Sequence, residues 1–185
     1  MPDFNESNLC FSFGNEWEII KVDDHPDYRS VFQTIPGTKS VDFLGLHQRT
    51  VYFIEVKNYS ASLTSDEPKL KGDDLPTALA QKFRDTLFIV LAAHCRYHRP
   101  DWHVYALAIG QDKPIKYVAW IELDYQFRHN VERKRLQALW SILSQKLKRK
   151  LGRLNQFDPS FQAMVISSVN ASSTLHDLSV RDAPC

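Results

Sequence analysis

The chain is short of most features that would take it out of the ordinary globular class. Among 185 residues there are 6 glycines, 9 prolines and 3 cysteines. So few glycines exclude a collagen-like or loop-dominated chain. Cys10, Cys95 and Cys185 are an odd, scattered set, which argues against a disulfide framework and reads as free thiols in a reducing compartment. No apolar run approaches the roughly 20 residues that a membrane span requires. The opening residues, MPDFNESN, lack the basic and then greasy pattern of a secretory signal, so the expected location is the cytoplasm, without a membrane partner. Neither sign of charge dominates: 23 Lys and Arg stand against 22 Asp and Glu, for a net charge of +1. Bulk electrostatics therefore names no nucleic-acid partner. Internal repeats are absent, as are a P-loop, a G-x-S-x-G elbow and a G-x-G-x-x-G turn. An NTPase, a serine hydrolase and a dinucleotide enzyme are left without sequence support.

What is present suits a soluble α/β domain. The composition is 43% hydrophobic and 24% charged, and a chain this long buries about 70% of its unfolded surface. One domain over residues 1–170 is expected, followed by a loosely ordered tail, 171–185. Charge is unevenly spread. Residues 1–30 hold seven carboxylates against Lys21 and Arg29, whereas Val131 to Arg153 hold eight basic residues against Glu132 alone. That basic element is either a solvated helix face or a phosphate contact.

Short apolar runs LCFSF and WEIIKV read as strands around a turn at Gly14 and Asn15. Asp23 or Asp24 would cap a short helix that turns Tyr28, Val31, Phe32 and Ile35 inward and stops before Pro36. Thr38 to Leu46 and Thr50 to Lys57 read as a hairpin with apolar residues on both faces, as in a sheet covered on each side. The spacing of Leu75, Leu79, Phe83, Leu87, Val90 and Leu91 predicts a long helix from Leu75 to His98. WHVYALAIG and KYVAWIEL read as two strands joined by QDKP. A second long helix, Val131 to Leu151, carries Leu136, Leu139, Trp140, Leu143 and Leu147 on its buried stripe. A last strand is expected at Gln162 to Val169. Trp17, Trp102, Trp120 and Trp140 are assigned to the core.

The hairpin holds three charges among apolar neighbours. Residues two apart on a strand share a face, so Glu55 and Lys57 point the same way. Pairing Leu46 with Val51 sets Leu44 opposite Phe53 and Asp42 opposite Glu55. Directly opposed carboxylates repel unless something positive lies between them. Mg²⁺, with Mn²⁺ as a substitute, takes hard oxygen ligands, and Asp42, Glu55 and the carbonyl of Val56 could hold it. Lys57 beside the ion would orient a water or offset charge developing on phosphorus. A zinc set of His94, Cys95, His98 and His103 is a weaker alternative without a paired cysteine motif.

Asp42, twelve residues, then Glu55-Val56-Lys57 resembles the signature of the PD-(D/E)xK nuclease superfamily, lacking only its leading proline. VDFLGL and VYFIEVKNY are similar to nuclease-related domains, and WEIIKVDDHPDYR, KSVDFLGL, IEVKNY and QKFRDTL together resemble an uncharacterised bacterial family of that fold, over roughly Phe11 to Ala93. The resemblance implies a restriction-endonuclease-like αβββαβ core, a central mixed sheet flanked by helices. It implies a Mg²⁺-dependent endonuclease that hydrolyses nucleic acid, DNA ahead of RNA, with Asp42, Glu55 and Lys57 as site residues. Gln81 and Lys82 match a helix position that often lines the site, and Gln81 is taken as the candidate. The acid often supplied from the first helix is open among Glu18, Asp23, Asp24 and Asp27. Basic residues from Lys146 to Arg153 would hold the phosphate backbone. A homodimer or a partner protein is compatible with this reading. The alternative is an inactive nuclease-like module for binding or assembly.

Overall fold

Two-residue turns organise the amino-terminal half. Strand β1 (Asp3–Glu6) folds back on β2 (Leu9–Phe13) through Ser7 and Asn8, both with positive φ, at 51° and 63°. The same device joins β4 (Phe43–His47) to β5 (Thr50–Tyr59), where Gln48 and Arg49 have φ of 47° and 71°. Two successive positive-φ residues give the twist that antiparallel strands need at a tight hairpin. The structure, a computed structural model, describes residues 2–59, 72–95, 98–123, 130–152, 154, 158–168, 175–182 and 185.

Between the hairpins run β3 (Trp17–Lys21), α1 (Pro26–Ser30) and a single 3₁₀ turn, Phe32–Thr34. The cap of α1 is His25, whose ring accepts from the Asp27 N–H, and not Asp23 or Asp24 as the sequence suggested. Pro26 occupies the first helical turn, where its missing N–H has no cost. Then come α2 (Asp74–Cys95), α3 (Pro100–Gly110), β6 (Ile115–Leu123), α4 (Asn130–Leu151), β7 (Gln162–Ile166) and β8 (Leu178–Asp182).

The class is α/β. A five-stranded mixed sheet has the order β3-β4-β5-β6-β7, antiparallel up to β5 and parallel from β5 to β7. A second sheet, β1-β2-β8, is antiparallel throughout. The two faces of the central sheet bury different partners. Leu44, Phe53, Tyr117 and Ala119 meet Leu79, Phe83, Leu143 and Leu147 from the helices. Phe43, Ile54, Val118 and Trp120 meet Leu9, Phe11, Phe13 and Leu178 from the small sheet. Alternation along each strand sends successive side chains to opposite layers, and both layers bury them.

Three expectations are corrected. WHVYALAIG is a helix: Pro100 and Asp101 open its first turn, and Trp102, Tyr105 and Ala106 bury one face at helical spacing. The supposed tail contains β8, which pairs with β2 from Leu9↔Asp182 to Phe13↔Leu178. Backbone pairing at an otherwise open edge orders Leu178–Asp182. Finally, Cys10 and Cys185 form a disulfide, with Cα atoms 5.2 Å apart, which leaves Cys95 as the free thiol. The β2–β8 pairing brings residues 175 positions apart in the chain into bonding range.

Both long helices occur where periodicity placed them. On α2 the buried stripe is Leu75, Leu79, Phe83, Thr86, Ile89 and Val90, while Leu91 is exposed. On α4, Leu139, Leu143 and Leu147 are buried and Trp140 is partly so; the side chain of Leu136 lies outside the description. Trp17, Trp102 and Trp120 are core residues. No helix among the described residues is long and apolar enough to cross a membrane.

Candidate active site

The two-residue turn at Gln48 and Arg49 sets the hairpin register considered above: Leu46 pairs with Val51, Leu44 with Phe53 and Phe43 with Ile54. Asp42 follows one step beyond the last pair, at the end of β4 that faces Glu55. Its carbonyl and the N–H of the preceding Val41 are both held. Val22 N–H donates to the Asp42 carbonyl at 2.9 Å, and Val41 N–H donates to Thr86 Oγ1 on α2 at 2.9 Å. Thr86 in turn donates to the Lys82 carbonyl at 2.8 Å, so one hydroxyl links this strand end to the helix. Asp42 Oδ2 accepts from the Val56 N–H at 2.6 Å.

Glu55 is fully buried. Two ammonium groups meet its carboxylate: Lys57 Nζ at 2.5 Å, and Lys82 Nζ at 2.7 and 2.8 Å from its two oxygens. Lys82 also lies 3.8 Å from Asp42 Oδ1. The positive charge that the opposed acids demand is thus supplied here by Lys82, reaching over from α2. Lys57 further donates to the Val56 carbonyl at 3.1 Å.

Gln81 does not join this group. Its amide donates to the Gly37 carbonyl at 3.1 Å. The helical stripe carried a signal for the difference: Lys82 lies three residues after Leu79 and four before Thr86, whereas Gln81 is rotated away.

Asp23 is the member of the open set that reaches Asp42. Glu18 is exposed on β3; Asp24 pairs with Arg29 and Lys21; Asp27 takes Trp102 Nε1 at 3.1 Å and Arg99 at 3.2 Å. The Val22 to Asp42 bond extends the β3–β4 ladder by one step, so Asp23 comes to lie beside Asp42. Glu6, from the end of β1, completes the cluster, and one carboxylate oxygen of each of Glu6, Asp23 and Asp42 lies within 4.8 Å of the others. The sequence reading did not include Glu6, since it sits on a different sheet and 36 positions before Asp42.

The electrostatics reflect the crowding. Burial first, and then the Glu55 charge, push Asp42 up to about 7 from its ordinary 3.8, against the pull of Lys82. Burial also raises Asp23, opposed by Lys21 and reinforced by Glu6. Burial alone would lower Lys57, but the attraction of Glu55, joined by Asp42, outweighs it and the ammonium ends above 10.5. Behind the acids, the Tyr117 hydroxyl is buried with no partner among the described residues, and burial with the Glu55 and Asp42 charges holds it in its neutral form.

The donor set fits a hard divalent cation. Three carboxylates converge, all with oxygen ligands, and Asp23 Oδ1 is buried without a hydrogen-bond partner. A cation there would relieve both the repulsion and the orphaned oxygen. The zinc alternative is reduced to a pair: His94 and His103 touch through Nδ1 at 3.3 Å, while Cys95 is exposed. At the basic element, Lys146, Arg149 and Lys150 gather around Asp73 at 3.0, 3.5 and 3.9 Å. Arg153 lies outside the described residues.

No family model matches the chain, and no solved structure matches it. Among curated proteins, the chain is 24% identical over 151 residues to a cysteine–tRNA ligase from Neisseria meningitidis serogroup A / serotype 4A, a match covering 66% of this chain and 21% of that protein. The chain therefore spans about a fifth of the length of this curated relative. At that identity and coverage the likeness carries no argument about activity.

Proposed function

We propose that the chain is a Mg²⁺-dependent endonuclease of the PD-(D/E)xK kind, on a restriction-endonuclease-like core, that hydrolyses phosphodiester bonds of nucleic acid, DNA ahead of RNA. One observation carries this reading. Asp42, just ahead of β4, faces Glu55 in the middle of β5 with Lys57 on the same face, and Asp42 also belongs to a cluster of three carboxylates with an unpartnered buried oxygen. Lys21 pairs with Glu6 at 3.1 Å and attracts Asp23, but Asp23 Oδ1 is still without a hydrogen-bond partner among the described residues. The order β3, α1, β4, β5, α2, α3, β6 keeps three antiparallel strands, then helix, then a parallel strand, as in the αβββαβ core. Its first described helix, α1, follows β3, where that core has a helix ahead of the strands.

Asp42 would be the central ligand, with Asp23 and Glu6 on one flank and Glu55 with the Val56 carbonyl on the other. Bound Mg²⁺ would supply Lewis acidity toward a phosphate oxygen and offset the repulsion among these acids. The protein's own part is positional. Val22 N–H fixes the Asp42 carbonyl, Thr86 holds the N–H of the preceding Val41, and Val56 N–H fixes the Asp42 carboxylate. Lys57 holds its proton, and so presents a permanent positive charge where negative charge builds on phosphorus. Lys148, Arg149 and Lys150 at the end of α4 add positive charge suited to a phosphate backbone.

The test is cleavage of plasmid DNA, and of single-stranded DNA and RNA, with Mg²⁺ or Mn²⁺. Lys57→Ala is expected to lose activity by about 10²-fold or more while keeping its circular dichroism spectrum; full activity in that variant refutes the role. Calorimetric titration with Mn²⁺ of Asp23→Asn and Glu55→Gln distinguishes the two flanks. A second reading, a binding or assembly module without turnover, draws on the two lysines that both bond Glu55. It predicts no Mg²⁺ or Mn²⁺ binding in the native chain.

A further inference from the structure

Away from the acidic centre, one buried imidazole has a nitrogen with nothing to bond. His47, the last residue of β4, is 2% exposed, and its Nε2 has no hydrogen-bond partner among the described residues. That nitrogen faces two carboxylates, with Glu16 Oε2 at 3.6 Å and Asp177 Oδ2 at 4.0 Å. Neither is a hydrogen-bond distance. All three ligand atoms lie within 4.8 Å of one another.

The convergence is built by the surrounding chain. Trp17 stacks on the His47 ring, with centroids 4.7 Å apart and planes at 13°, and its Nε1 donates to the His176 carbonyl at 3.0 Å. Asp177 has φ of 57°, and its carbonyl accepts from Gly14 N–H at 2.7 Å. A Cβ at Gly14 would come within 2.7 Å of the Asp177 Cβ, so glycine is what lets this residue approach. Glu16 comes from the turn between β2 and β3, and Gln48 Nε2 reaches its Oε2 at 3.4 Å.

We propose that Glu16, His47 and Asp177 form a Zn²⁺ site that clips the segment ahead of β8 to the tip of the β4–β5 hairpin. One imidazole with two carboxylates suits zinc or a neighbouring late first-row ion, whereas Mg²⁺ favours an all-oxygen set. Tetrahedral Zn²⁺ with ligands at about 2.1 Å places them about 3.4 Å apart. From His47, Glu16 at 3.6 Å meets that spacing within a few tenths of an ångström and Asp177 at 4.0 Å needs a closure of about 0.6 Å. The two carboxylates, within 4.8 Å of each other, close on the ion by side-chain rotation. Glu16 and Asp177 are exposed, so the fourth position opens to water. The site stands at the other end of β4 from Asp42 and is independent of the nuclease reading.

The experiment is calorimetric titration of Zn²⁺ into the full chain, stripped with chelator, without reductant, and carrying Cys95→Ser to remove the exposed thiol. One equivalent is expected to disappear in His47→Gln, and its affinity to fall at least about tenfold in Glu16→Gln and Asp177→Asn. Mg²⁺ at the same concentration should not compete, and Asp42→Asn should bind Zn²⁺ as the parent does. His47 is buried, so if its variant fails to fold, the two exposed-carboxylate variants decide, with circular dichroism as the check on folding. No Zn²⁺ binding by the parent, or stoichiometry and affinity unchanged in Glu16→Gln and Asp177→Asn, overturns the proposal and leaves His47 as a plain ion-pair residue.

Discussion

Replacing Asp42 by Asn should make the protein more stable, and increasingly so as pH rises. The folded protein holds the Asp42 carboxyl near pKa 7, against an ordinary value of 3.8, because burial and Glu55 disfavour its charge. A carboxyl with a raised folded pKa binds its proton more tightly in the folded state. Folding is therefore favoured at low pH, and stability is lost as pH climbs from about 4 to about 7. At about 1.4 kcal/mol per pH unit, that interval corresponds to about 4 kcal/mol of strain carried at pH 8. Asn cannot ionise, and its amide oxygen can still accept the Val56 N–H. Urea unfolding in EDTA at pH 4, 5, 6, 7 and 8 gives the comparison. The variant should exceed the wild type by a margin that grows toward about 4 kcal/mol at pH 8 and is below about 1 kcal/mol near pH 4. Parallel pH profiles for the two proteins would show that Asp42 is not the strained group. Mg²⁺ at one hundred times its Kd should then restore about 2.7 kcal/mol to the wild type alone, which joins the stability argument to the metal proposal.

Lys82→Ala removes one of two partners from the fully buried Glu55, and a loss of about 3 kcal/mol is expected; a change under about 0.5 kcal/mol in urea unfolding would show that Lys57 suffices. Cys185→Ser opens a loop of 175 residues, for which chain entropy gives an upper value of about 5 kcal/mol; an unaltered melting temperature, with or without reductant, would mean that β8 stays docked through its ladder alone. Gly45→Ala places a Cβ 2.9 Å from the Trp17 ring and 3.0 Å from Ile19 Cδ1, at a cost of about 1–3 kcal/mol; a neutral result in thermal unfolding would place that ring elsewhere.

How much of the site was legible depends on the range of the forces involved. The Asp42–Glu55 opposition followed once Leu46 was paired with Val51; with both faces apolar, the two-residue turn at Gln48 and Arg49, not the alternation, fixes that pairing. Lys82 was legible in part, from the stripe of Leu79, Phe83 and Thr86. Glu6 was not: nothing local to MPDFNESN says that Ser7 and Asn8 turn the chain back, or that the resulting ribbon covers the central sheet near Asp42. The helix at Pro100–Gly110 was misread because nearly every residue in WHVYALAIG is apolar, so alternation and helical spacing fit the string equally well. Packing against the sheet decided between them. The disulfide was hidden for another reason, since the pairing of Cys10 with Cys185 depends on β8 finding β2 across almost the whole chain.

The amino-acid sequence by itself determined the hairpin, the two long helices with their buried stripes, and the shared face of Glu55 and Lys57. All of these follow from the period of the backbone and from neighbours a few residues away. Tertiary structure alone decided that Asp23 and Glu6 would crowd Asp42, that Lys82 would neutralise Glu55, and that Glu16 and Asp177 would face the buried nitrogen of His47. Each of those contacts joins separate elements, so its geometry is set by how two sheets and the helices close over one another. No local pattern encodes that closure: it is the outcome of burying both faces of the central sheet at once.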